Sequence, residues 1–278
     1  MNRRGTLLRA AALASALSTV STACSAPLLK LPSGPGKLAD GLAAIDAATA
    51  ACRQVSTISL EMSVSGSIAG VRVRGRLVAA LTRAGPARLE AVAPFGQPVF
   101  TLTNGRGFVQ PGATLLLPRD NRALEHGQFP AVLEAVTGIP LDAALLFRVV
   151  TGCDAWPPIP AARAFGDQWL VMPAAGQKND LYYFNREKAG PWRLVATAHS
   201  DADAGWRAEN RNFQDGLPRN IRLVSARRGA FDVQLALSQV ELNVPLGPEV
   251  FQVRIPASAQ PISIDELKQS GPLRANGR

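Results

Sequence analysis

Alternation between apolar and polar residues dominates the chain between residues 58 and 102. Apolar side chains occupy every second position in two long runs, and the positions between them are mostly serine, glutamate or arginine. A period of two predicts strands that have one apolar face and one polar face. The predicted strands cover residues 58–64, 71–81, 88–93 and 99–102.

A tight turn is expected between the last two of these strands, because Pro94 and Gly96 both favour it. Phe95 is then placed at the tip of a hairpin, where its own strands cannot easily bury a large apolar side chain. We therefore expect Phe95 either to be covered by another element or to contact something outside the protein.

Helical spacing replaces the alternation in two places. Apolar residues in residues 37–54 predict an amphipathic helix that packs on the apolar face of the sheet. Residues 129–152 predict two short helices, separated by glycine and proline within residues 137–140. A small helix is expected at residues 264–269. Further strands are predicted at residues 107–110, 113–117, 168–172, 180–184, 192–198, 206–213, 220–225 and 230–241. This order predicts one α+β domain with a large curved antiparallel sheet.

The N-terminus has the pattern of an exported protein. Residues 1–23 begin with arginines and continue into a short apolar region, which predicts a signal peptide. The sequence Ser21-Thr22-Ala23-Cys24 resembles the lipobox of bacterial lipoproteins, in which the cysteine is acylated and becomes the mature N-terminus. Serine at position 21 replaces the usual leucine, so cleavage by an ordinary signal peptidase is the alternative. Ser25 after the cysteine resembles an outer-membrane address.

Proline and glycine are frequent just after this cysteine. Residues 24–36 are therefore predicted to be a lipidated cysteine with a flexible tether, and residues 37–278 a single domain. The formal net charge of +9 falls to +6 without residues 1–23, because these contain three arginines and no acidic residue. Export and the scattering of the arginines disfavour a nucleic-acid partner.

Residues typical of catalysis are sparse. The two histidines, His126 and His199, lie in no metal or nucleophile motif. The sequence contains no Gly-x-Ser-x-Gly elbow, no phosphate-binding loop and no Cys-x-x-Cys pair. We predict no catalytic residue, no metal site and no cofactor.

Several short motifs follow one another in a recognisable order. Cys24 precedes the tether and the first helix, and Ala93-Pro94-Phe95-Gly96 forms the hairpin turn. Residues 133–141 read LEAVTGIPL, a helix, a Thr-Gly break, a proline and a second helix, and residues 206–223 are a late strand pair joined at Gly216-Leu217-Pro218-Arg219. Together these motifs span most of residues 24–255 and resemble LolB-type outer-membrane lipoprotein receptors, within the wider LolA/LolB-like fold. The chain departs from that pattern in its greater length, in phenylalanine where the turn usually has leucine, and in two extra cysteines.

The resemblance implies an incomplete, open β-barrel covered by the N-terminal helix and the inserted helical pair, with an apolar cup between them. The cup would receive acyl chains of lipoproteins or lipid, delivered by a periplasmic carrier, and the Pro94–Phe95–Gly96 loop would enter the membrane. The protein would be a monomer, anchored by lipid to the periplasmic face of the outer membrane of a Gram-negative bacterium. The expected cup residues, for which plain core packing is the alternative, are Leu60, Met62, Val73, Leu77 and Leu102.

Two cysteines remain if Cys24 is lipidated. In a LolB-like fold the two helical units cover the same side of the sheet, so Cys52 and Cys153 could meet in a disulfide; two separate buried thiols are the alternative.

Three functions stay open at this point. They are a lipid-handling outer-membrane lipoprotein without covalent catalysis, a periplasmic binding or sensor module with a non-lipoprotein ligand, and a secreted hydrolase.

Overall fold

The computed structural model describes residues 27–93, 96–105, 112–153, 161–174, 180–200 and 205–270. The described chain forms fifteen strands and four α-helices. The strands are β1 Lys37–Asp40, β2 Thr57–Ile68, β3 Val71–Thr82, β4 Ala87–Val92, β5 Pro98–Asn104, β6 Ala113–Leu117, β7 Arg122–Gly127, β8 Ala161–Phe165, β9 Trp169–Pro173, β10 Leu181–Asn185, β11 Arg193–His199, β12 Trp206–Arg211, β13 Asn220–Ser225, β14 Phe231–Leu242 and β15 Gln260–Pro261. The helices are α1 Leu42–Arg53, α2 Phe129–Thr137, α3 Ala143–Thr151 and α4 Ile264–Ser270.

All fifteen strands belong to one open sheet, in the order β1-β8-β9-β10-β11-β12-β13-β14-β2-β3-β4-β5-β6-β7-β15. Neighbouring strands are antiparallel except for β15, which runs parallel to β7. The hairpins predicted between residues 58 and 102 are confirmed, and β2 and β3 pair along their full length from Thr57↔Thr82 to Ile68↔Val71. The alternation along these strands therefore reports a sheet with one buried and one outer face.

The helices cover one face of the sheet in two separate groups. Side chains of α2 and α3 share the main hydrophobic core with the inner faces of β2–β7 and of β12–β14. Ala44 and Ile45 of α1 belong to a second cluster, with β8–β11. Both predicted helices of the inserted pair are present, and left-handed glycines end them, Gly138 at φ 72° and Gly152 at φ 65°. In α3 the Asp142 carboxylate also accepts a hydrogen bond from the Leu145 N–H at 2.6 Å.

The first predicted helix begins later than the sequence indicated. Residues 37–40 form the edge strand β1, which pairs with β8 from Lys37↔Ala164 to Asp40↔Ala161. Leu38, placed on the buried stripe by its spacing, is 77% exposed, and Leu42 is 41% exposed. The buried stripe of α1 instead consists of Ala44, Ile45, Thr49 and Cys52. Backbone pairing with a strand more than a hundred residues away decided the structure of residues 37–40.

The outer face of the sheet is covered at both sides by extended chain. Residues 27–36, predicted to be a flexible tether, are bound to the sheet: the Leu29 N–H donates to Glu209 Oε1 at 2.9 Å, and Leu31 packs on the apolar outer cluster of Val171, Tyr183 and Ala196. On the other side, Arg88 Nη1 donates to the Gln252 carbonyl at 3.1 Å, and Asn121 Nδ2 donates to the Ser258 carbonyl at 2.8 Å. Between these two segments, the described residues place no further chain over the outer face.

His126 lies in the strand β7, where it is exposed. The predicted strand at residues 107–110 and the residues Cys24, Pro94 and Phe95 lie outside the described residues. No helix within the described ranges is long and apolar enough to cross a membrane.

Candidate functional site

The apolar interior between the sheet and the α2–α3 pair is the first part of the candidate site. Leu60, Met62 and Leu102, three of the five expected cup residues, are buried in it on the inner faces of β2 and β5. Helices α2 and α3 contribute the buried side chains opposite them, including Leu133, Val136, Leu146 and Phe147. These contacts are those of a packed layer, and burial at this depth fits both a core and a closed cup.

The remaining expected cup residues, Val73 and Leu77, are only half-buried. They lie on the inner face of β3, where Val73 pairs with Gly66, and Leu77 pairs with both Met62 and Ala91. Val64 is also half-buried and is the partner of Gly75. We call this patch of the inner face, formed by Val64, Val73, Gly75, Leu77 and Ala91, the apolar opening.

Gly75 lies in the centre of the apolar opening. A Cβ atom added to Gly75 would point into space that holds no heavy atom of the described residues within 4 Å. The adjacent inner-face positions are apolar, so this space has an apolar floor. An acyl chain laid across Gly75 would gain burial against Val64, Val73 and Leu77, because each buried methylene contributes about 0.8 kcal/mol.

The turn between β4 and β5 lies at the same end of the sheet as the apolar opening, since Val92 at the end of β4 pairs with Arg76. The Ala93 N–H donates to the Gln97 carbonyl at 2.9 Å, and the Gly96 N–H donates to the Ala93 carbonyl at 3.1 Å. Gly96 is exposed and has a φ of 80°, a conformation that favours glycine. The turn predicted from Pro94 and Gly96 therefore closes a hairpin beside the opening.

The two cysteines of the helical cover lie together. Cys52, at the end of α1, and Cys153, just after α3, form a disulfide with a Cα–Cα distance of 5.4 Å. Arg83 adds a second link at this point, because its Nη2 donates to the Cys52 carbonyl at 2.7 Å and its guanidinium lies over the Phe147 ring, 5.5 Å from the centroid. Arg83 follows the end of β3, so the cover is tied down at the end of the sheet away from the turn at residues 93–97.

Sequence reasoning missed two polar clusters. Glu209 of β12 is fully buried between Arg207 and Arg211, with which it forms ion pairs, the latter at 2.9 Å. The alternation Arg-x-Glu-x-Arg was the available signal, but its partner in residues 27–31 could not be inferred from it. His199 stacks on Trp206 with ring centroids 4.1 Å apart, and its Nδ1 lies 2.7 Å from Asp180 Oδ2. This second cluster joins the end of β11 to the residue before β10.

A shallow groove of about 380 Å³ lies at the other end of β2 and β3. Its lining mixes apolar and hydroxyl-bearing residues, including Thr57, Thr82, Pro86, Leu246 and Phe251. Among the described residues, no group of three or more histidine, cysteine, aspartate or glutamate side chains could hold a metal ion.

Comparisons with known proteins give distant structural similarities. No family model and no curated protein matches the chain. A DUF1329 family protein from Desulfovibrio piger has a TM-score of 0.48 at 12% identity, covering 77% of this chain and 97% of that one. A LolA superfamily protein from Nitrosomonas europaea has a TM-score of 0.46 at 13% identity, with the same coverage of 77% and 97%. The lipoprotein LppX from Mycobacterium tuberculosis has a TM-score of 0.30 at 11% identity, covering 74% of this chain and 96% of that one. At these values the overlap carries no assignment.

Proposed function

We propose that this chain is a LolA/LolB-like lipoprotein of the bacterial envelope that binds acyl chains, of lipoproteins or of free lipid, at the apolar opening. In this proposal Cys24 carries the lipid that anchors the protein at the periplasmic face of the outer membrane. The bound chain lies across Gly75 and is passed to or from the membrane through the turn at residues 93–97. No covalent chemistry is involved.

The observation that carries the proposal is the unfilled space over Gly75. Core positions of a sheet are normally filled to the density of an organic crystal. Among the described residues, this apolar inner-face position has no partner. Its neighbours Val73 and Leu77 are half-buried, which suits a surface that is covered only when a ligand is present.

Three features of the chain support the envelope setting. The lipobox-like Ser21-Thr22-Ala23-Cys24 and the signal-like residues before it suit export with an anchor. The disulfide between Cys52 and Cys153 suits an oxidising compartment. The order of short motifs from Cys24 to Arg219 resembles the LolB-type receptors.

The experiment is native mass spectrometry of the full chain purified from membranes, which reads the acylation of Cys24 and any co-purified lipid together. The variant Gly75→Leu places a side chain in the open space without backbone strain. Displacing about two methylene groups of ligand costs about 1.6 kcal/mol, so we expect roughly tenfold lower affinity for a fluorescent fatty acid.

Ser65→Leu is the matched control, since Ser65 is exposed on the outer face of the adjacent strand and pairs with Arg74. It adds the same side chain on the opposite face and should leave acyl binding unchanged. Equal loss in both variants, or unaltered binding in Gly75→Leu, would rule out the apolar opening as the acyl site. An unmodified N-terminus at any residue other than 24 would reject the anchor alone.

A further inference from the structure

The strip of outer sheet face between the two covering segments is polar, and no other part of the described chain lies over it. It consists of the outward positions of β13, β14, β2 and β3. Cross-strand pairing carries this face continuously from β12 to β3, through the partners Arg211↔Asn220, Asn220↔Ala236, Ala236↔Ser63 and Ser63↔Arg76. Small serine side chains of β2 occupy its centre, at Ser63, Ser65 and Ser67.

Four arginines gather at one end of this strip. Arg72 and Arg74 are exposed on successive outward positions of β3, and Arg227 and Arg228 are exposed in the turn between β13 and β14. The two turns lie side by side, because the Ala69 N–H donates to the Ala230 carbonyl at 2.8 Å. We call these four residues the basic rim.

The acidic residues of the strip do not neutralise the basic rim. Glu61 pairs with Arg76 at 3.4 Å, and Asp232 holds Arg222 through two hydrogen bonds of 2.8 and 2.7 Å. Among the described residues, no carboxylate lies within 4 Å of a guanidinium nitrogen of the rim. Within the described ranges, the four arginines of the rim therefore carry positive charge that is paired with no carboxylate.

We infer that the basic rim binds the anionic headgroups of a phospholipid bilayer. Guanidinium groups suit phosphate because they donate paired N–H bonds to its oxygens. This assigns a second, electrostatic membrane contact, separate from acyl binding at the inner face.

The N-terminal segment lies on the same outer face as the rim, at the opposite end of β12. Arg211 Nη2 donates to the Pro27 carbonyl at 2.6 Å, so the chain is fixed on the outer face three residues after Cys24. Three extended residues span at most about 11 Å. If Cys24 is lipidated, as proposed above, the anchor starts close to the face on which the rim lies.

The test uses the full chain carrying Cys24→Ser, so that binding does not depend on the anchor. Flotation is measured with vesicles of phosphatidylcholine alone and with an equal mixture of phosphatidylcholine and phosphatidylglycerol. We expect binding to the mixed vesicles only, and loss of that binding at high salt. Each arginine near an anionic surface strengthens binding about fivefold. The double substitution Arg72→Gln and Arg74→Gln, made in the Cys24→Ser protein, should therefore weaken binding about 25-fold.

The matched control is Lys37→Gln with Lys188→Gln, which removes the same charge from exposed residues on β1 and on the turn after β10. It should leave flotation within about twofold of the parent, because both lysines lie outside the strip. Equal effects of the two double variants, or equal binding to neutral vesicles, would overturn the proposal. If Cys24 is not acylated in the intact protein, the flotation result is unaffected, because the test uses Cys24→Ser. The lipid anchor and the basic rim can therefore be rejected independently.

Discussion

Glu209 is the charged side chain on which the position of the N-terminal segment depends. Its carboxylate accepts the Leu29 N–H and lies between two guanidinium groups that in turn donate to the carbonyls of Leu29 and Pro27. Burial lowers the pKa of Arg207, and the charge of Glu209 opposes that shift. The cluster is thus a buried ion network whose hydrogen bonds order residues 27–31 on the outer face of the sheet.

Glu209→Gln should release this segment. The substitution removes the charge while keeping an acceptor for Leu29, and it leaves two arginines partly buried without their carboxylate. Loss of one member of a buried ion pair costs about 3 kcal/mol, and we expect that order of destabilisation in urea unfolding. Hydrogen exchange at residues 28–31 should rise in the same variant.

Asp232→Asn is the control for that substitution. Its ion pair with Arg222 is half-exposed, with 40% of the Asp232 side chain accessible, so the expected loss is below about 1 kcal/mol. If Asp232→Asn destabilised the protein as much as Glu209→Gln, the burial argument for Glu209 would fail.

The two helical groups of the cover are connected by one disulfide. Cys52 ends α1, which packs on β8–β11, whereas Cys153 follows α3, which packs on the main core. The bridge spans a sequence separation of 101 residues. It therefore joins the helix that packs on β8–β11 to the helical pair over the main core, two groups that meet where β11 pairs with β12.

Breaking this bridge should lower the free energy of unfolding. Closing a loop of about 100 residues stabilises by up to about 4.7 kcal/mol through chain entropy, and 2–4 kcal/mol is typical. The midpoint of urea unfolding should fall when reductant is added to the wild-type protein. The double variant Cys52→Ser with Cys153→Ser should start from the lower midpoint and show no response to reductant. A wild-type midpoint insensitive to reductant would contradict this.

Local pattern sufficed for the central hairpins and the inserted helical pair, because their partners are near in sequence. Leu60, Met62 and Leu102 were correctly placed on an inner face for the same reason. The edge strand β1 was read as helix, since Leu38 and Leu42 have helical spacing and the pairing with β8 is distant. Val73 and Leu77 of the apolar opening were expected, but Glu209 and the open space over Gly75 were missed. The role of Glu209 depends on a segment 180 residues upstream, and the space over Gly75 depends on which parts of the described chain lie above it.

Phe95 and the anchor together predict how the molecule delivers a bound chain. If the turn at residues 93–97 enters the bilayer, Phe95→Glu should slow transfer of a fluorescent acyl peptide to vesicles, because an acidic side chain in the hydrocarbon costs about 3 kcal/mol. Loading of the peptide and the melting temperature should stay unchanged. Gln97→Glu adds the same charge at an exposed position of the same turn and should have a smaller effect. A lower melting temperature with Phe95→Glu would instead identify Phe95 as part of the core, since burying a charge destabilises the fold.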